Sequence, residues 1–125
     1  SGGGAGPAPA AEPQVIDAFD DVSAWSAAPA TGVHMELSAD SGVSGGGLRV
    51  DFDFRGGGGW AAFRRDVRVR LPENYEISFW LRGNAPPNTL ELKLIDGTGE
   101  NVWWVNRPRF EFDGEWRRVT FRRPS

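Results

Sequence analysis

From Val15 onward the chain alternates apolar and polar residues in short runs, separated by Gly, Pro, Asn and Asp. Side chains on a strand point to opposite faces at every second residue, so a period of two with frequent turn residues predicts antiparallel β-structure. Strands are expected at residues 15–19, 33–38, 48–54, 60–69, 75–82, 89–95, 101–105, 109–112 and 116–122. Three runs carry the pattern most cleanly. Leu48, Val50, Phe52 and Phe54 alternate with Arg49, Asp51 and Asp53; Tyr75, Ile77, Phe79 and Leu81 alternate with Glu76, Ser78, Trp80 and Arg82; Leu90, Leu92 and Leu94 alternate with Glu91 and Lys93. One set makes a core. The other makes a charged outer face that includes Trp80, where opposite charges on adjacent strands would also hold register. Only DDVSAW, residues 20–25, reads as a helical turn, with an aspartate as its N-cap. The predicted class is all-β, an antiparallel two-sheet β-sandwich.

Length and composition narrow this further. With 125 residues, 39% of them hydrophobic, the chain suits one compact domain and leaves too little for a second core. Residues 1–14 hold four Gly, four Ala and three Pro without an apolar period, so they read as a flexible linker that tethers a domain at 15–125 beside another domain of a longer protein. No apolar run approaches the roughly 20 residues that cross a bilayer, and no charged-then-apolar start marks an export signal, so a membrane is not an expected partner. A net charge of −3 opposes nucleic acid as a partner as well. The charges are uneven: residues 1–62 hold eight acids against Arg49 and Arg55, whereas residues 63–125 hold nine acids against twelve bases and end in Arg117, Arg118, Arg122 and Arg123. That block is either a binding face or a solvated sheet surface. The absence of cysteine removes disulfides, thiol nucleophiles and thiolate metal sites.

Most catalytic constellations lack their parts. His34 is the single histidine, which excludes paired metal-binding histidines, and no Gly-x-Ser-x-Gly turn accompanies it. The clusters Gly45–Gly47 and Gly56–Gly59 precede no helix, and the only lysine, Lys93, lies mid-strand, so the glycines serve turns rather than a phosphate loop. Asp51, Asp53 and Gly56 imitate a calcium loop only until Arg55 and Ala62 fall at ligand positions. No pair of carboxylates is set apart as the acid and base of a glycosidase. The chain is expected not to be an enzyme.

The informative excess is tryptophan, six in 125 residues. Trp103 and Trp104 are adjacent and must face opposite sides of a strand, while Trp80 stands on the charged face of its own. A pyranose ring presents an apolar C–H face that stacks on an indole, and its hydroxyls need planar donors and acceptors. Trp80 and Trp103 are therefore the expected platforms, with Arg49, Asp51, Asp53, Arg82, Glu91, Lys93 and Asn101 as hydrogen-bonding partners. Asp17, Asp20 and Asp21 could ligate a structural calcium with help from backbone carbonyls; a turn with an N-cap accounts for them equally.

The runs VIDAFDDVSAW, LRVDFDFRGGGGWAAFRRDVRVRLPENYEISFWLRG and LELKLIDGTGENVWWVNRPRFEFDGEWRRVTFRR resemble the galactose-binding-like, discoidin-related jelly-roll modules attached to bacterial glycoside hydrolases and other secreted carbohydrate-active proteins. The likeness covers about residues 15–123, and DFDF-x-GGGG, NYE-SFW-RG and GENVWW are its most specific pieces. It implies a non-catalytic jelly roll that binds a polysaccharide or oligosaccharide, often with a structural calcium, and that works extracellularly or in the periplasm beside an attached catalytic domain. Such modules continue for about two more strands, so the resemblance implies a jelly roll lacking its C-terminal strands, with an open edge. The competing expectation is a structural or protein-interaction sandwich packed against a neighbouring catalytic domain.

Overall fold

The computed structural model of the chain describes residues 14–71 and 74–123, so the linker expected at 1–14 lies outside the described residues except for Gln14. Eight strands form: β1 (Ser26–Ala27), β2 (His34–Ser41), β3 (Gly46–Asp53), β4 (Phe63–Arg64), β5 (Tyr75–Leu81), β6 (Asn88–Ile95), β7 (Val102–Phe110) and β8 (Arg117–Arg123). They pair antiparallel as four two-stranded sheets, β1–β4, β2–β3, β5–β8 and β6–β7. The all-β class expected from the alternation is what the chain adopts. Among the described residues no helix is long and apolar enough to cross a membrane. The residues fall into two compact units, 14–69 and 70–123.

In the first unit β2 and β3 make a tight hairpin. The Gly42 N–H donates to the Gly45 carbonyl at 2.8 Å, and Gly45 sits at φ +85°, a conformation that a side chain would strain. A Cβ on Gly46 would lie 2.4 Å from the Phe19 carbonyl oxygen, so this glycine exists to let two backbones meet. The strand expected at 15–19 does not form. Asp17 Oδ1 accepts the Phe19 N–H at 2.7 Å and Phe19 takes φ +60°, which turns the segment instead of extending it. Of the strand expected at 60–69, only Phe63–Arg64 pairs fully, with Ser26–Ala27. Isolated bonds from the Ala28 N–H to the Ala62 carbonyl and from the Ala30 N–H to the Trp60 carbonyl continue the contact. The helical turn expected at 20–25 shrinks to one turn closed by the Trp25 N–H on the Val22 carbonyl at 3.1 Å, with Asp21 accepting the Ser23 N–H beside it.

The second unit is built from two antiparallel strand pairs, the β6–β7 hairpin and the non-consecutive β5–β8 pair, that share one apolar cluster. In β5–β8 the pairs Tyr75/Arg123, Ile77/Phe121, Phe79/Val119 and Leu81/Arg117 lie on one face, as the period of two requires. In β6–β7 the equivalent face carries Leu90/Arg107, Leu92/Val105 and Leu94/Trp103. These faces meet: Phe110, Val119 and Phe121 are buried, with Phe79, Leu81, Leu90, Leu92, Trp103, Val105 and Phe112 packed against them. A two-stranded ladder is marginal alone, and burial worth about 1.5–3 kcal/mol per large apolar side chain supplies what pairing does not. Ring contacts cross the layers, with Tyr75 and Trp103 edge to face at 5.8 Å.

Three arginines complete this cluster from inner-face positions. The guanidinium of Arg117 stands 4.3 Å over the Phe110 ring, that of Arg107 4.6 Å over Phe121, and that of Arg123 5.9 Å over Trp103. Their stems cover apolar surface while their charges sit on ring faces. Arg107 also donates to the Thr120 carbonyl. Half of the C-terminal basic block is thus packing material, and the other half, Arg118 and Arg122, faces outward.

The strands expected at 101–105 and 109–112 are one strand, β7, with a β-bulge. Pro108 and Arg109 together oppose Thr89, and Arg109 takes φ +55°. The extra residue resets the alternation, so that Trp103, Val105 and Arg107 face inward and Phe110 does too. A bulge also accommodates a proline that has no N–H to offer the ladder.

Candidate functional site

The outer face of β6–β7 carries three cross-strand rows: Glu91 opposite Asn106, Lys93 opposite Trp104, and Ile95 opposite Val102. Rows on one face repeat every second residue, about 7 Å apart. Trp104 is 56% exposed and forms the middle of the surface, with polar groups on one side and an apolar pair on the other. Lys93 Nζ lies 3.9 Å from Glu91 Oε1, a loose contact that leaves both free to meet a ligand. Trp103, expected to be the outward platform, faces the other way. It stands across from Leu94 and packs on the apolar cluster, between the Tyr75 ring and the Arg123 guanidinium. Trp104 therefore takes the exposed position.

Asn101 lies in the turn that joins the two strands rather than on the face. Its side-chain amide donates to Asp96 Oδ2, while Asp96 Oδ1 accepts from Thr98 Oγ1 at 2.7 Å and from the Thr98 and Gly99 N–H groups at 3.1 Å. The hydrogen bonds from the Asn101 and Thr98 side chains pull the Asp96 carboxyl down to about 2. Asn101 thereby fixes the turn that sets the register of Trp104.

The outer face of β5–β8 carries Glu76 opposite Arg122, Ser78 opposite Thr120, and Trp80 opposite Arg118. Trp80 is 50% exposed. Arg122 is paired with Glu76 at 3.0 Å, and Arg118 Nη2 donates to Ser78 Oγ at 3.0 Å. Arg82, just past β5, places its guanidinium 5.0 Å from the Trp116 ring. Both strand pairs turn their inner faces into the same cluster, so their outer faces point away from each other. Trp80 and Arg82 consequently do not converge on a common ligand with Glu91 and Lys93.

Arg49, Asp51 and Asp53 belong to the first unit, where their polar atoms are engaged locally. Arg49 Nε lies 3.0 Å from Asp51 Oδ2 and its Nη1 lies 3.8 Å from Asp40 Oδ2, while Asp53 Oδ1 accepts the Arg55 N–H at 2.7 Å. Asp17 is a hub of the same unit: Oδ1 accepts from the Phe19 N–H, and Oδ2 accepts from Arg65 Nη1 at 2.6 Å and from Trp25 Nε1 at 2.8 Å. Burial pushes this carboxyl up, but the bonds from Arg65, the Phe19 N–H and the Trp25 indole outweigh it and hold the group below its ordinary value. Asp21 is also held low, by its bonds with Ser23. Among the described residues no three acidic or histidine side chains gather as metal ligands. A calcium ion would have to displace Arg65 from Asp17, so Asp17, Asp20 and Asp21 as arranged do not fit that ion.

The sequence reasoning missed Trp104, Asn106 and Arg118 as outward groups. The signal for Trp104 was present in the turn. A connection closed across Asp96 and Asn101 pairs Ile95 with Val102, and counting outward then sets Trp103 against Leu94 and Trp104 against Lys93. No family model, curated protein or solved structure matches this chain.

Proposed function

We propose that the chain is a non-catalytic carbohydrate-binding module of the jelly-roll, galactose-binding-like kind, whose two-layered second unit presents a sugar platform on the outer face of β6–β7. The observation that carries this reading is the exposed Trp104 set directly across from Lys93, one row from Glu91 and Asn106. An indole exposed in the middle of a polar strand face gains nothing from folding, and the C–H face of a pyranose is a surface that would cover it. Lys93 and Asn106 then donate to ring hydroxyls, and Glu91 accepts from them. Aromatic stacking on a flat, preformed face costs little ordering entropy, which suits a polymer that must be held without being processed. The module would hold an attached catalytic domain near polysaccharide outside the cytoplasm.

The exposed pair Ile95 and Val102 favours a second reading, in which the same face docks on a neighbouring protein domain. Affinity electrophoresis separates the two. Retardation of the chain in gels containing a neutral polysaccharide, abolished by Trp104→Ala and kept by Ile95→Ser, supports the sugar platform; migration unchanged by every neutral polysaccharide refutes it.

A further inference from the structure

The β5–β8 outer face points away from the platform just described, and its chemistry differs. Trp80 is 50% exposed and stands directly across from Arg118. Directly opposed residues on one face have Cβ atoms about 5 Å apart, so Arg118 is rooted beside the indole, and its guanidinium reaches the adjacent row of the same face at Ser78. Arg118 has a single polar partner among the described residues, the neutral hydroxyl of Ser78 at 3.0 Å, and none of their carboxylates lies within ion-pairing distance of it. The neighbouring Arg122, by contrast, is matched by Glu76 at 3.0 Å. The face therefore offers one aromatic plane and one uncompensated, solvent-facing cation.

We propose that this face is a second sugar site, selective for uronate residues of an acidic polysaccharide, with the pyranose stacked on Trp80 and its carboxylate held by Arg118. In a pyranuronate the carboxylate projects from the rim of the ring, where a guanidinium beside the stacking plane meets it. A guanidinium binds a carboxylate through two parallel N–H bonds, which an ammonium cannot reproduce. The Ser78 hydroxyl, accepting from Arg118 Nη2 on the same face, restrains the guanidinium. Glu76 and the net charge of −3 work against polyanions of high charge density such as nucleic acid or heavily sulfated glycans, which gain affinity from many cations at once. One carboxylate per sugar matches one free arginine. The inference rests on the reading of the chain as a carbohydrate-binding module and adds a ligand class and a separate face to it.

The test is calorimetric titration of the full chain with polygalacturonate, with its fully methyl-esterified form, with a neutral galactan and with heparin, repeated on R118Q, R118K and W80A. The expected pattern is binding of polygalacturonate that falls about tenfold or more in R118Q and in W80A, and less in R118K. Esterification of the polymer should have the effect of R118Q. R118K retains the charge on the ladder and shows whether a loss in R118Q comes from unfolding. Polygalacturonate binding that R118Q and W80A leave intact overturns the site, as does heparin binding equal to or tighter than polygalacturonate binding. Binding of the galactan alone overturns the uronate site and leaves the β6–β7 platform standing; binding of no glycan overturns both.

Discussion

Lys93 on β6 and Trp104 on β7 are direct cross-strand partners on the outer face of their hairpin, while the adjacent Trp103 stands across from Leu94 on the inner face. One residue of register separates a ligand platform from a core side chain, and this difference is measurable in stability. Trp103→Ala should cost about 3 kcal/mol because it opens a cavity in the cluster shared by the two strand pairs. Trp104→Ala should change the unfolding free energy by no more than about 0.5 kcal/mol. Urea denaturation of the two variants checks the contrast.

Asp17 joins Phe19, Trp25 and Arg65, three points separated along the chain, through a single carboxylate. Its folded-state pKa lies below the unfolded value near 3.9, so the stabilisation it gives is complete above that value and is lost as pH falls through the lowered one. Stability should therefore drop with acid below about pH 4 in the native chain and drop less in Asp17→Asn. That variant should be less stable at neutral pH by about 2–3 kcal/mol, since it leaves a half-buried Arg65 without its counter-charge. Thermal unfolding across a pH series measures both effects.

The Asp96 carboxyl should titrate at about 2 in the native chain, because the side chains of Asn101 and Thr98 and three backbone N–H groups all hydrogen-bond its charged form. Removing the largest contribution with Asn101→Ala should raise the midpoint toward the ordinary aspartate value. Carbon-detected NMR of the side-chain carboxyl through an acid titration reads it directly. An unaltered midpoint in the variant would contradict the hydrogen-bonded turn.

Gly46→Ala should destabilise the first unit by about 2 kcal/mol or more, because its Cβ would fall 2.4 Å from the Phe19 carbonyl oxygen and neither backbone can yield cheaply. Gly97→Ala meets open space at a negative or extended φ and should stay within about 0.5 kcal/mol of the native chain. Differential thermal unfolding of the two variants separates a steric glycine from an incidental one.

Much of the strand content was legible because a two-residue period survives wherever one face is buried. Leu90, Leu92 and Leu94, and Tyr75, Ile77, Phe79 and Leu81, all turn inward together as their alternation requires. Three features were not legible, each for a physical reason. The segment around Asp17 forms no strand because its carboxylate turns the chain at Phe19, and Arg65, 48 residues away, holds that carboxylate in place, a contact that no local pattern announces. The bulge at Pro108 and Arg109 inverts the parity of β7, so residues on either side cannot be assigned to faces by counting through it. The basic block at the C-terminus divides between packing and solvent: Arg117 and Arg123 lie on aromatic rings of the inner layer, and only the pairing register of β8 with β5 reveals it.

The candidate site was legible in kind and not in place. Tryptophan beside charged strand positions was the right chemistry to seek, but the face to which each belongs depends on which strands pair. β5 pairs with β8 rather than β6, which sets Trp80 on a different surface from Glu91 and Lys93. Arg118 became visible as a partner of Trp80 only through that pairing.

Isothermal titration of the native chain, Trp104→Ala and Trp104→Phe with a neutral polysaccharide that retards the native chain in affinity gels tests the β6–β7 platform most directly. Saturable binding is expected that Trp104→Ala weakens by about tenfold or more and Trp104→Phe largely retains, since a phenyl ring preserves the stacking plane. Equal affinity in native chain and Trp104→Ala, with both folded, would contradict it.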